Sequence, residues 1–365
     1  MVTAGTLLPL NFNQVSIFLT LRRLEALRLQ KEFRKILVIK PSSLGDIVHS
    51  LPFLDSLKRR FPFAEVHWVV ARGFHELLKG HPLVDRLWII DKDRWKDLSR
   101  TPESLREFRE LLRSLKAERF DIAVDLQGLF RSALIAYAVR PAPRVGFKEA
   151  KELSWLFYTH KIAGGNKIHA VDRYLKLASF LGCDLGNLSF PFPPLPEAST
   201  IIKSLPEEYV VIAPSAGKEA NRWPAERFGE LASRLPLRSV IISSKGDAFL
   251  SEKVLRASRG KAISLAGKTN LLELVDVIRH ASFFVSNDTG PMHIASAFNV
   301  PVFAIFGPAN PVRTGPYGAA HTIIREDIAC SPCYRKRKCR DWECMESLTV
   351  ERVYRTIMEK MAKMR

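Results

Sequence analysis

Apolar residues in this chain follow two alternating rhythms: short runs closed by turn residues, and longer stretches with an apolar position every three or four residues. Ile36 to Ile39 is a run of strand length, and Pro41, Ser42, Ser43 and Gly45 break it. From Leu44 onward, Ile47, Val48, Leu51, Leu54 and Leu57 recur along one helical face. The rhythm repeats, predicting strands over 66–70, 87–90 and 122–126, a short helix over 73–78, and helices over 105–116 and 131–138. A stretch containing Pro191, Pro193, Pro194 and Pro196 interrupts it. The alternation then restarts with strands at 210–213, 239–243, 283–286 and 302–306. Helices follow from about Pro224 and over 271–279, 292–298 and 349–360, with Pro291 heading the third of them.

Strands alternating with helices predict an α/β fold whose mostly parallel sheets are covered on both faces. The Pro-rich stretch from Asp184 to Pro196 is the expected linker. The expected divisions are an N-terminal extension over 1–33, one domain over 34–190, a second over 191–346 and a closing helix over 347–365. Two such halves put a cleft between them, where ligands usually bind.

Composition adds a charge argument. The 365 residues are 47% hydrophobic and 26% charged, and 56 Lys and Arg against 38 Asp and Glu leave a formal charge of +18. Such an excess points to acidic partners: nucleic acid, anionic lipid or phosphorylated substrates. Nucleic-acid binding would call for aromatic–basic interleaving on a sheet face or a known module, and neither is visible. No run is long enough to span a membrane. Leu7 to Leu21 is apolar but broken by Pro9, Asn11, Asn13 and Gln14, and the basic stretch Arg22 to Arg34 follows it, the reverse of a secretory signal. It reads either as an interfacial helix or as an over-long start.

Ligands of open α/β sheets bind at the carboxyl ends of strands. After the first strand, Ser42 and Ser43 offer hydroxyls and N–H groups at a helix start suited to an anion. Asp46 falls in the first turn of that helix, where a carboxylate either complements the helix dipole or does chemistry. In the second half, Ser286 to His293 (SNDTGPMH) places Asp288, Thr289, Gly290 and His293 around another helix start. Gly290 lets backbone approach a ligand, and the free N–H groups suit a diphosphate. The other reading has Asp288 or Thr289 as an N-cap and His293 packed in the first turn. A second anion-shaped turn, Ser215 to Gly217, favours the diphosphate.

Two nucleotide signatures are excluded. No G-x-G-x-x-G follows a predicted strand, and Gly267-Lys268-Thr269 lacks the first glycine of a P-loop, where Ala262 stands. Cys330, Cys333, Cys339 and Cys344 could hold a structural zinc, though the spacing is not that of a standard ribbon. Reduced thiols or a disulfide are the alternatives. Arg94-Trp95-Lys96 and the basic residues among the cysteines read as solvated surface or as a hold on an acidic ligand.

KILVIKPSSLGDIVHSLP, DLQGLFRSA, SLAGKTNLLEL and SNDTGPMHIASAFNVPVFAIFGPANP, in that order, resemble the ADP-heptose:lipopolysaccharide heptosyltransferases of glycosyltransferase family 9. The resemblance runs from about Arg34 to the C-terminus. The first half, with HAVDRYL, is most similar to the heptosyltransferase I branch; CSPCYRKRKC is more similar to the heptosyltransferase II branch. The resemblance implies a GT-B fold, two Rossmann-like domains facing across a cleft, and an inverting, metal-independent transferase without a cofactor. It implies Asp46 as general base, and Ser215, Thr269, Asp288, Thr289, Gly290 and His293 as contacts of an ADP-heptose donor. Where the family often carries a Lys before Trp-Pro, this chain has Asn221-Arg222-Trp223-Pro224, so the charge on the leaving diphosphate is expected to fall to Arg222, with Lys218 as the alternative. Ser42, Ser43, Arg94, Trp95, Lys96 and Arg131 are expected around a Kdo–lipid A or lipopolysaccharide-core acceptor. The resemblance also implies a cytoplasmic enzyme peripheral to the anionic inner membrane. Another sugar nucleotide, a heptose acceptor, or a polyanion-binding protein with idle catalytic parts are the competing readings.

Overall fold

The computed structural model describes residues 32–92, 102–140, 142–195, 200–333, 339 and 341–364. Arg94, Trp95 and Lys96 lie outside the described residues, as does the expected extension apart from Glu32 and Phe33.

Two parallel six-stranded sheets make up the fold. The first holds β1 (Lys35–Ile39), β2 (Glu65–Ala71), β3 (Arg86–Ile90), β4 (Ile122–Asp125), β5 (Arg144–Phe147) and β6 (His160–Ile162), in the order β3-β2-β1-β4-β5-β6. The second holds β7 (Tyr209–Ala213), β8 (Arg238–Ile241), β9 (Ala262–Ser264), β10 (Phe283–Asn287), β11 (Val302–Ile305) and β12 (Thr322–Ile324), in the order β12-β11-β10-β7-β8-β9. Read from its other edge, the second order repeats the first. Each is the Rossmann arrangement, in which chain direction across the sheet reverses beside the first strand and opens a crevice there. Central strands are legible because both their faces are covered: Ile36 to Ile39 and Val210 to Ile212 are fully buried. The edge strands β6, β9 and β12 have three residues each and are largely half-exposed, so they leave little apolar pattern.

Helix α1 (Leu44–Arg60) follows β1, and α2 (Pro102–Ala117), α3 (Phe130–Ala138) and α4 (Ala170–Phe180) complete the first half. The second half adds α5 (Ala225–Arg234), α6 (Ala248–Ala257), α7 (Leu271–Arg279), α8 (Gly290–Ala297) and α9 (Val350–Met364). Helix α8 starts at Gly290, with Thr289 at the N-cap, so Pro291 is its second residue rather than its first. Helix α9 packs on α5 and buries Val350, Val353 and Ile357 in the core beneath the second sheet.

The halves meet along α1, which packs on α4 of its own half and on α8 of the other. Their side chains contribute to one continuous apolar cluster. Polar ties cross the seam as well: Tyr317 donates to Asp172 at 2.8 Å, His169 Nε2 to the Gly315 carbonyl at 2.9 Å, and the Leu271 N–H to Glu76 at 3.1 Å. Both sheets therefore present a carboxyl rim beside the same seam.

Candidate active site

Asp46 sits at the third position of α1, one turn beyond the crevice of the first sheet. Its Oδ2 accepts from the Ser43 N–H at 3.0 Å and the Ser43 hydroxyl at 2.9 Å, and its Oδ1 accepts from Tyr174 at 3.1 Å. Lys40, at the end of β1, brings its ammonium to 3.7 Å from Oδ1 while remaining almost wholly buried. Burial works to raise the Asp46 pKa, but Lys40 and the three hydrogen bonds outweigh it and hold the carboxyl below the ordinary aspartate range. The carboxylate thus accepts from the N-cap residue Ser43, a tie beyond the helix-dipole role that the plainer sequence reading gave it. It also keeps 38% of its side-chain exposure, so it remains reachable from the cleft.

Across the seam, α8 begins against the start of α1. A Cβ on Gly290 would lie 2.8 Å from Leu44 Cδ2, and a Cβ on Gly45 would lie 2.3 Å from His293 Cδ2. Neither position has room for a side chain, which is why both are glycine where these two helix starts meet. Asp46 and the Asp288–Gly290 turn are thereby brought to one place.

His293 is buried rather than open to the cleft. Its Nδ1 lies 2.9 Å from His49 Nε2, and the His169 ring stands edge-on to His49 at 5.0 Å. His169 Nδ1 accepts from the Val171 N–H while Nε2 donates to Gly315, which requires the neutral Nε2–H form. His49 Nδ1 has no partner. A bare lone pair there costs less than an orphaned N–H, so His49 donates from Nε2 and leaves the His293 proton on Nε2. Burial lowers all three: His293 is pushed down to about 3, and His49 falls well below the usual range.

The other donor-side candidates line the carboxyl rim of the second sheet. Ser215 follows β7, and its hydroxyl is buried without a partner. Asp288 and Thr289 follow β10 and are partly exposed. Thr269 follows β9, in a loop tied to the end of β8 by the Gly267 N–H to the Ser243 carbonyl at 3.0 Å. Arg222 comes to the same rim, but its guanidinium donates to the Ala216 carbonyl at 3.1 and 3.2 Å and pairs with Asp247 at 3.3 Å. It braces the Ser215 turn from behind.

Four contributors went unassigned in the sequence reading. Lys40, Tyr174 and His49 lie within the quoted motifs; Lys40 meets Asp46 of its own motif, whereas the partners of Tyr174 and His49 are remote in the chain. Asn287 is the fourth. Fully buried, it accepts from the Trp223 N–H at 3.0 Å and donates to the Pro214 carbonyl at 2.7 Å, fastening the Ser215 turn and the Arg222 segment to the end of β10.

On the first half's rim, Pro41, Ser42, Lys92, Gln127, Arg131 and Ser132 line a small cleft. Asp125, wholly buried, accepts from Ser132 of this lining at 2.7 Å and from Tyr158 at 2.6 Å. Burial raises its pKa. Ser43 lies beside this cleft, at the cap of α1.

No disulfide joins Cys330, Cys333, Cys339 and Cys344. Cys344 is pushed up to about 11, first by burial and then by the other three sulfurs. Among the described residues, no group of three or more His, Cys, Asp or Glu is arranged to hold a metal ion.

A family model described as glycosyltransferase family 9 (heptosyltransferase) matches residues 108–342, more than half of the chain. The chain belongs to glycosyltransferase family 9. It is 31% identical to lipopolysaccharide heptosyltransferase 1 of Pseudomonas aeruginosa over 316 residues, 83% of this chain and 86% of that one. The structure of the E. coli heptosyltransferase WaaC with ADP has a TM-score of 0.72 at 25% identity, over 89% of this chain and 99% of that one. The structure of the E. coli ADP-heptose lps heptosyltransferase II has a TM-score of 0.71 at 25% identity, over 90% and 99%. This family 9 chain is thus a glycosyltransferase of GT-B architecture, as its resemblance implied.

Proposed function

We propose that this glycosyltransferase moves heptose from ADP-L-glycero-D-manno-heptose to the Kdo-bearing inner core of lipopolysaccharide, with inversion at the anomeric carbon. The observation that carries the reading is the meeting of two helix starts, one bearing Asp46 and the other following the Asp288–Gly290 turn. A donor diphosphate seated at the N-terminus of α8 would have its anomeric carbon turned toward the first half.

In this reading Asp46 takes the proton of an acceptor hydroxyl as that oxygen bonds to the anomeric carbon and the bond to the diphosphate breaks. A base with a depressed pKa works by placement, and Lys40 and Tyr174 supply the placement. Asp288 addresses the heptose hydroxyls. The N–H groups of α8 and Ser215 address the diphosphate; Arg222 shapes that pocket, with Lys218 close by in sequence, while His293, expected from the sequence to reach the diphosphate, instead packs in the seam behind the start of α8. Thr269 lies toward the adenine. Charge on the departing ADP is met by these groups rather than by a metal, so a chelator leaves turnover unchanged. Ser42, Ser43 and Arg131, joined by Arg94, Trp95 and Lys96, receive the acidic acceptor. A zinc held by the four cysteines would serve structure and not this step.

Because the acceptor is a lipid, we place the enzyme at the cytoplasmic face of the inner membrane, bound peripherally. The charge of +18 supports this, and among the described residues no helix is long and apolar enough to cross a membrane.

The test is incubation with ADP-heptose and two truncated acceptors, one ending in Kdo and one already carrying a heptose, with products weighed by mass spectrometry. One added heptose on the Kdo acceptor is expected. Addition only to the heptose-bearing core would assign the heptosyltransferase II type of acceptor, and no addition to either would end the reading.

A further inference from the structure

A second surface of distinct character lies beside the cleft. Helices α2 and α3 pack side by side, and between them opens a groove of about 670 Å³. Its lining includes Arg113, Lys116, Arg140 and Arg144 and no carboxylate. Arg140 lies over the Tyr137 ring at 3.8 Å and Arg144 at 5.6 Å, so part of this charge is held in place on an aromatic face.

Aromatic contacts continue the surface away from the groove. Tyr137 meets Phe157 edge-on at 5.5 Å, and Phe157 meets Phe130 at 5.7 Å. Beyond them Leu153 and Leu156 are 62% and 58% exposed, and Phe130 is 43% exposed. Leu156 donates its N–H to the Leu153 carbonyl in a 3₁₀ turn, where residues three apart point the same way. Leu153 adopts a left-handed backbone, φ 57°, unusual for a bulky residue. The loop is anchored: Glu152 accepts from the Phe130 N–H at 3.0 Å, and the Lys151 N–H donates to the Gly128 carbonyl at 2.9 Å. Lys161 stands over the Trp155 ring at 4.9 Å on the same flank. Three of the seven large apolar side chains exposed among the described residues thus adjoin a groove lined by cations and no carboxylate.

That pairing suits one environment, a bilayer interface, where apolar side chains enter the acyl boundary and cations meet headgroup phosphates. The position fits as well. Helix α3 starts with Phe130, which belongs to this face, and Arg131, which lines the acceptor cleft. A membrane-held substrate would arrive at the cleft's edge.

We infer that this face docks the enzyme on an anionic phospholipid bilayer, with Phe130, Leu153 and Leu156 inserting and Arg113, Lys116 and Arg140 meeting the headgroups. The inference rests on the reading that the acceptor is held in a membrane.

The experiment is co-sedimentation of the full chain with vesicles containing phosphatidylglycerol, and with vesicles of phosphatidylcholine alone. It compares the wild type with Leu153→Asp/Leu156→Asp and Arg113→Gln/Lys116→Gln. The wild type is expected to bind only the anionic vesicles and to be released by salt. The loss of two cations is expected to weaken partitioning roughly 30-fold. The aspartates should abolish insertion. With a water-soluble acceptor fragment, both variants should turn over like the wild type, while their rate on vesicle-embedded acceptor falls. If the wild type ignores anionic vesicles, the membrane reading fails and this proposal with it. If wild type and variants bind alike, the docking face is elsewhere and the membrane reading stands. If the variants lose turnover of the soluble fragment, the face is part of acceptor binding and docking is overturned.

Discussion

Lys40 Nζ lies 3.7 Å from Asp46 Oδ1, with the ammonium buried behind β1 and the carboxylate turned to the cleft. Burial lowers the Lys40 pKa, yet Lys40 remains the chief group holding the Asp46 pKa down. A depressed carboxyl pKa keeps Asp46 ionised down to a pH below the usual aspartate range. Replacing Lys40 with Met leaves burial unopposed by that charge, so the Asp46 pKa rises. The acid limb of the pH profile of kcat/KM is then expected to move to higher pH. A limb that stays in place would show that Asp46 does not govern it.

Capping and chemistry at Asp46 can be separated by two variants. Asp46→Asn keeps an oxygen acceptor for Ser43 while losing the base and the charge facing Lys40; Asp46→Ala also loses the cap, at a cost of about 1 kcal/mol. Turnover should fall about 10²–10⁴-fold in both, with ADP affinity nearly unchanged. Isothermal titration with ADP alongside single-turnover rates checks this. Wild-type-like turnover in Asp46→Asn would reduce the residue to a helix cap.

Asn287 is a brace whose removal should be costly. Asn287→Ala leaves the buried Trp223 N–H and Pro214 carbonyl without partners, an expected loss of about 2–4 kcal/mol by denaturant titration. Because the freed segments carry Ser215 and Arg222, the donor KM should rise more than the acceptor KM. Equal effects on both would show that the donor pocket does not depend on this tie.

The seam histidines tie stability to acid. His49, His169 and His293 all have pKa values lowered by burial from the ordinary 6.5. Their contribution is complete above that pH and is lost as pH falls, in the case of His293 down to about 3, because the unfolded chain binds protons that the folded seam refuses. Each contributes a slope of about 1.4 kcal/mol per pH unit while the two states differ by one proton. In His293→Asn, unfolding free energies measured between about pH 5 and pH 6 should show that slope reduced by one proton. An unchanged slope would mean that His293 is protonated in the fold.

At Gly45 an added methyl would ordinarily stabilise a helix by about 1 kcal/mol. Here it would stand 2.3 Å from His293 Cδ2, so Gly45→Ala is expected to wedge the halves apart and lower both Tm and kcat. In a His293→Ala background the penalty should vanish, which a double-mutant cycle measures. Additive penalties would mean that the two residues do not meet in solution.

The central strands and the helices after them were legible because covered parallel strands are continuous apolar runs and surface helices carry a stripe. Helix α7 was read with its observed bounds, Leu271–Arg279, since Asn270 caps it and Glu273 answers the cap. The strands β5, β6, β9 and β12 were missed, being three or four residues long with little apolar pattern. Helix α4 was missed as an element although HAVDRYL was noticed as a motif. Its Tyr174 reaches Asp46 across 128 residues of chain, and no local pattern announces such a contact.

What the sequence determined by itself was the alternation of elements, the two turns at helix starts, and a set of motifs sufficient to imply the family. Those features depend on neighbours a few residues apart. Only the tertiary structure decided which groups surround the Asp46 carboxylate, that His293 turns into the seam to meet His49 from 244 residues away, and that apolar side chains gather beside a basic groove. Such outcomes depend on how two finished sheets and their helices pack, because burial and charge at each position are set by whatever the rest of the chain brings against it.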